Sequence, residues 1–93
     1  MAFGGSPVTW WVYVIRCGDG SFYTGISTDI ARRLAQHRRG QGARYTRGRG
    51  PLGLWWCSGP YNHGTALREE RRVKRLTHED KLALGGELLH DEG

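Results

Sequence analysis

The stretch VYVIRCGDGSFYTGI, residues 12–26, decides how the chain folds. It reads as strand, tight turn and strand, with CGDGS supplying the turn chemistry. So short a connection makes the two strands antiparallel. Loop length then sets which side chains share a face. A two-residue turn at Asp19-Gly20 pairs Gly18 with Ser21 and sends Tyr13 and Tyr23 to opposite faces. A three-residue loop, Gly18-Asp19-Gly20 with Gly20 left-handed, sets Tyr23 opposite Ile15 and makes Tyr13 its diagonal neighbour. Diagonal neighbours lie about 7–8 Å apart, close enough for two phenols to share one site. Gly18 fits either loop, and the three-residue form is the expected one. Gly25 then shares the face of Tyr23, and a strand glycine often marks close approach of a ligand or another backbone. Half-buried tyrosines are common in sheets, so the hairpin alone does not separate packing from chemistry.

Working outward, strand one is expected over residues 10–16 and strand two over 22–26. A helix starts at Thr28 or Asp29, both good N-caps, and runs to about Arg39. RGQGARYTRGRGP follows, too rich in glycine and arginine to bury a core, and reads as a long mobile loop. LGLWWCS is a third strand and GPYNHG a turn. A second helix is expected over 65–76. THEDKLALGG is a third, capped by Thr77 with Asp80 at capping-box distance and ended by Gly85-Gly86. The tail ELLHDEG reads as frayed. The expected class is α+β: a three-stranded antiparallel sheet with two to three helices, carried on one sheet face. One domain spans 10–85, between a flexible leader (1–9) and a tail (86–93).

A chain of 93 residues supports one small domain. The longest apolar run, WWVYVI, is strand-sized and far short of the roughly 20 residues of a membrane helix. MAFGGSPVTW has no basic flank before an apolar stretch, so no secretory signal is read and a cytoplasmic location is expected. Cys17 and Cys57 form no metal-ligand spacing. In apolar, strand-like surroundings they read as small hydrophobes, in preference to a disulfide or a zinc site with His37 or His63. The net charge of +5 is unevenly spread. No acid occurs between Asp29 and Glu69, while Arg32, Arg33, Arg38, Arg39, Arg44, Arg47, Arg49 and Arg68 do. Guanidinium forks suit phosphate oxygens, so a polyanion partner is expected, nucleic acid first.

The helix STDIARRLAQH separates its arginines. At 100° per residue, Ile30 and Leu34 set the apolar stripe, His37 falls within it and Arg33 at its edge. Arg32 points the opposite way, as a surface phosphate contact. A buried-edge arginine needs a carboxylate or an anion, unless it only lays its stem along the core. In the second helix Ala66, Leu67, Val73 and Leu76 mark the apolar stripe, with Glu70 near its middle and Glu69 nearer its edge. Such a carboxylate is either paired with an arginine or holds a hard cation such as magnesium. The inward polar set is Tyr13, Tyr23, Arg33, His37 and Glu70, a combination suited to phosphodiester cleavage.

At these residues the sequence resembles the GIY-YIG nuclease superfamily. Trp11-Val12-Tyr13 stands where the first motif falls and Tyr23-Thr24-Gly25 where the second falls. ARRLAQH is similar to the family's arginine helix through Arg33 and His37, and ALREERRVK to the helix carrying its metal-binding glutamate, here Glu70. Trp11 replaces the first motif's glycine, and Thr24 an isoleucine. The likeness covers about residues 10–85 and is strongest to small stand-alone bacterial members. The resemblance implies a DNA endonuclease acting on branched or single-stranded DNA. Tyr13 would be the general base, with Tyr23 or His37 hydrogen-bonded to it. Arg33 would clamp the scissile phosphate, and Glu70 would hold one Mg²⁺ or Mn²⁺. Arg38, Arg39, Arg44, Arg47 and Arg49 would follow the backbone, beside Arg32 and a close approach at Gly25. The alternatives are a non-catalytic nucleic-acid-binding module of the same fold and, more weakly, a protein-interaction domain using Trp55 or Trp56.

Overall fold

A computed structural model describes residues 8–92, the side chains of 86–92 excepted. The expected leader therefore falls largely, and the last residue of the tail wholly, outside the described residues. The elements in chain order are β1 (Trp10–Arg16), β2 (Phe22–Ser27), α1 (Ile30–Arg38), a short 3-10 turn (Arg44–Thr46), β3 (Gly53–Tyr61), α2 (His63–Lys74) and α3 (His78–Glu92). The sheet order is β2-β1-β3, antiparallel throughout, with β1 in the centre. The class is α+β, a three-stranded antiparallel sheet with three helices.

The hairpin takes the three-residue loop. Cys17 and Ser21 close it, the Cys17 N–H donating to the Ser21 carbonyl at 2.8 Å, and Gly20 is left-handed with φ +86. The register sets Ile15 opposite Tyr23 and Tyr13 opposite Gly25. Asp19 fixes the loop by accepting from the Ser21 amide (3.0 Å) and hydroxyl (2.6 Å). Those bonds, with Arg49, lower its carboxyl to about 2.

Helices cover both sheet faces, not one. The reason lies in β1, whose two faces are both buried. Tyr13 and Ile15 pack with Cys17, Leu52 and, from α1, Ile30 and Leu34. On the other face Val12 and Val14 pack with Val73 of α2 and with Trp55, Leu76 and Leu84. A central strand apolar on both sides exposes a face unless helices cover each.

Asp29 caps α1 as expected, accepting from the Arg32 amide at 3.1 Å. α2 starts earlier than expected, because Asn62 caps it by accepting from the Thr65 amide at 2.8 Å. β3 likewise continues through GPY, where a turn is expected from the sequence; on an edge strand the missing N–H of Pro60 is tolerated. Gly85 does not stop α3. A Cβ there would collide with the Trp55 indole, whose Nε1 donates to the Lys81 carbonyl at 2.8 Å, so this glycine lets helix and sheet approach. The loop after α1 is built into the core: Thr46 and Leu52 are buried, and the Gly18 amide donates to the Arg49 carbonyl at 2.6 Å. Cys17 is buried, whereas Cys57, expected in apolar surroundings, is exposed. Among the described residues no helix is long and apolar enough to cross a membrane.

Candidate active site

Tyr13 sits mid-way along the central strand, so its ring is carried into the interior and is 2% exposed. A Cβ at its register partner Gly25 would stand 2.7 Å from the phenol oxygen. The absent side chain is the space that the Tyr13 hydroxyl uses. Tyr23 lies on the same face, half-buried, its ring centroid 6.3 Å from that of Tyr13. α1 brings His37 against both: its ring centroid is 5.2 Å from that of Tyr23, and its Nε2 is 3.0 Å from the Tyr13 hydroxyl.

His37 is 1% exposed and held from behind by the loop that follows its helix. The Ala43 amide donates to Nδ1 at 3.2 Å. The Thr46 hydroxyl lies 3.0 Å from Nδ1 and 2.9 Å from the Ala43 carbonyl. An amide N–H only donates, so Nδ1 is an acceptor, and a neutral ring then carries its proton on Nε2, aimed at the Tyr13 oxygen. Burial, then the charge of Arg33, lowers the His37 pKa and keeps the ring neutral at pH 7. Gly42 lies so close that a Cβ would enter the imidazole. Gly42→Ala is therefore expected to destabilise the protein by about 1–3 kcal/mol in chemical denaturation. In ¹⁵N NMR of the imidazole, the parent is expected to show a protonated Nε2. A proton on Nδ1 contradicts this assignment.

Arg33 is half-buried on α1 and donates from Nη1 to the Gln36 side chain at 3.0 Å. It is near enough to act on both neighbours. Burial pushes the Tyr13 phenol up to about 12; Arg33, through hydrogen bonding and charge, pulls it down, and the charges of Tyr23 and Glu70 add to the rise. α2 packs against β2 and β1, which is how Glu70 comes within electrostatic reach of that phenol. The Glu70 side chain is 16% exposed, and Lys74 Nζ lies 3.3 Å from its Oε2. Glu69, at 22% exposed, pairs instead with Arg72 at 2.6 Å.

The donor set decides what metal would fit. Among the described residues no group of three or more His, Cys, Asp or Glu side chains could enclose an ion. A single, mostly shielded carboxylate that already attracts an ammonium group suits a hard, largely hydrated cation of the magnesium type. It does not suit a zinc ion enclosed by protein ligands.

The remaining arginines lie around this cluster, not in it. Arg32, Arg38, Arg39, Arg44 and Arg47 are exposed. Arg38 Nε donates to the Leu52 carbonyl at 3.1 Å and Arg39 Nε to the Gln41 side chain at 3.3 Å. Arg49 is tied to Asp19 at 2.6 Å. Arg68, Arg71, Arg72 and Arg75 line a separate cleft along α2. Sequence reasoning missed Gly42, Ala43 and Thr46 behind His37, and Lys74 on Glu70. The i, i+4 spacing of Glu70 and Lys74 was a usable signal. Nothing local flagged the loop residues.

The GIY-YIG catalytic domain model matches residues 9–83. A UPF0213 protein of Cronobacter sakazakii is 50% identical over 83 residues, covering 88% of this chain and 87% of that protein. Another, from Halobacterium salinarum, is 48% identical over 73 residues, covering 78% of this chain and 95% of that protein. Two solution NMR structures match in fold. A protein of E. faecalis gives a TM-score of 0.56 at 35% identity, covering 81% of this chain and 80% of that one. The UPF0213 protein of Bacillus halodurans gives 0.51 at 43% identity, covering 82% and 81%. By motif, fold and descent the chain belongs to the GIY-YIG family, among its UPF0213 proteins.

Proposed function

We propose that the protein is a metal-dependent endonuclease that hydrolyses phosphodiester bonds in DNA, selective for branched or single-stranded forms and acting in the cytoplasm. Membership of the GIY-YIG family supports a nuclease-type function. The observation that carries the finer reading is the 3.0 Å contact of His37 Nε2 with the Tyr13 hydroxyl, beside Arg33 and within reach of Glu70. Binding alone has no use for a buried phenol–imidazole pair, whereas proton transfer does.

In this reading the Tyr13 phenol first gives up its own proton to solvent, a loss that Arg33 and a bound divalent ion would favour, and the phenolate then takes a proton from the attacking water. The water oxygen bonds to phosphorus as the bond to the 3′ oxygen breaks. His37, with its proton on Nε2, stabilises the phenolate form of Tyr13 and fixes its orientation, and Tyr23 completes the pocket wall. Arg33 binds the scissile phosphate and offsets the negative charge that develops there. Glu70 would hold the divalent ion, one Mg²⁺ or Mn²⁺, which when bound supplies Lewis-acid stabilisation of the departing oxygen. The exposed Arg32, Arg38, Arg39, Arg44 and Arg47 attract the DNA backbone with little base preference.

Nicked, flapped, four-way and single-stranded DNA, each incubated with Mg²⁺, Mn²⁺ or EDTA, test this directly. Cutting is expected only with metal, fastest on a branched or single-stranded form, with binding that weakens steeply as salt rises. Metal-independent binding without cutting of any substrate would establish the non-catalytic module instead.

A further inference from the structure

Three large hydrophobic side chains are exposed among the described residues, and one of them, Tyr45 at 42%, stands beside the candidate active site. Its ring stacks on Tyr23 with centroids 6.1 Å apart and planes 28° apart. On Tyr45 in turn lies the Arg49 guanidinium, 4.3 Å from the ring centroid. The arginine is locked there. Its Nε donates to the Tyr45 carbonyl at 2.7 Å and its Nη1 to Asp19 at 2.6 Å. Asp19 is itself fixed by two hydrogen bonds from Ser21. Tyr23, Tyr45 and Arg49 thus form a continuous π column. It starts against the buried Tyr13 ring and ends in a guanidinium plane whose side chain is 40% exposed.

We propose that Tyr45 and Arg49 together form a stacking subsite for one unpaired nucleobase, next to the nucleotide whose phosphate enters the Tyr13–Arg33 pocket. The inference rests on the nuclease reading and deepens it by naming what is recognised beside the cut. An arginine that only followed phosphates would gain from a free side chain. This one is ordered in advance as a flat surface, and unpaired bases stack on aromatic rings and on guanidinium planes. A base inside a duplex has both faces covered and cannot use the plane. The subsite therefore accounts for selection of single-stranded or branched DNA without any base-edge contact.

The test measures binding in EDTA, so that it does not depend on cleavage. The probes are a fluorescent oligothymidylate and an abasic deoxyribose–phosphate oligomer of equal length and charge. The parent is expected to bind the oligothymidylate more tightly. Tyr45→Leu, which keeps apolar bulk, and Arg49→Lys, which keeps the charge but not the plane, are each expected to weaken oligothymidylate binding about tenfold, the scale of one stacked base. Neither variant changes binding of the abasic oligomer, and Tyr45→Phe binds both probes as the parent does. Equal loss on both probes, or loss on neither, overturns the subsite and leaves the nuclease reading to its own cleavage assay. Failure of the parent to bind either probe also overturns the subsite, and the cleavage assay alone decides the nuclease reading.

Discussion

Tyr13→Phe is expected to slow DNA cleavage at least about a hundredfold while DNA binding stays within a few-fold of the parent. A positioned general base contributes about 10²–10⁴ in rate, and phenylalanine keeps the ring but removes the only proton acceptor that it offers. The variant should remain folded, because phenylalanine keeps the buried ring and the chief loss is the hydrogen bond between the phenol oxygen and His37. Leaving that Nε2–H without an acceptor costs about 1–3 kcal/mol. A second readout ties the effect to the phenol. Burial raises the Tyr13 pKa from 10.0 to about 12, so between those values the folded state holds a proton that the unfolded state has lost. This contribution to stability is complete below pH 10 and is lost as pH rises through 12, an effect of about 2–3 kcal/mol. Urea denaturation at neutral and at strongly alkaline pH is expected to show that loss in the parent and to lack it in Tyr13→Phe. Full cleavage by the variant removes Tyr13 from the chemistry, and an unchanged alkaline profile shows only that burial does not raise the pKa of its phenol.

Glu70→Gln has the largest expected effect, a fall of about a thousandfold in metal-dependent cleavage. The substitution keeps the size of the side chain and removes the charge that attracts a hard cation. Lys74 provides the contrast. Its ammonium lies 3.3 Å from Glu70 Oε2, yet the lysine side chain is 53% exposed and is bridged to no other acid among the described residues. Lys74→Ala should therefore retain cleavage and reach half-maximal rate at lower Mg²⁺, because the lysine competes for the carboxylate. If Glu70→Gln cuts as fast as the parent, the metal is held elsewhere. If Lys74→Ala is as inactive as Glu70→Gln, the lysine belongs to the chemistry and not to the competition.

What could be seen in the sequence was mostly local. The hairpin register followed from CGDGS, because a left-handed Gly20 and a closed three-residue loop leave one pairing, and that pairing puts Tyr13 and Tyr23 on one face. The wheel of α1 turned His37 inward and Arg32 outward; in α2 Glu69 and Glu70 are both partly buried and differ in partner, Arg72 for the first and Lys74 for the second. The loop after α1 was misread because its composition is that of a mobile segment. Its order comes from contacts distant in sequence: Leu52 in the core, Gly18 to Arg49, and Thr46 and Gly42 behind His37. Gly85 was misread for the same reason. A glycine after a helical pattern signals a stop, but here the neighbour that requires it is Trp55 of β3, thirty residues earlier in the chain. Periodicity carries no information about such partners.

The central claim is that Tyr13, Tyr23, Arg33, His37 and Glu70 surround one site for a phosphate and a divalent cation. The most direct test is NMR of the isotope-labelled protein titrated with Mn²⁺, whose unpaired electrons broaden nearby resonances. Broadening is expected first at Glu70, then at the Tyr13, Tyr23 and His37 rings, and is expected to vanish in Glu70→Gln. Broadening centred on other carboxylates, or the same pattern in the glutamine variant, contradicts the claim.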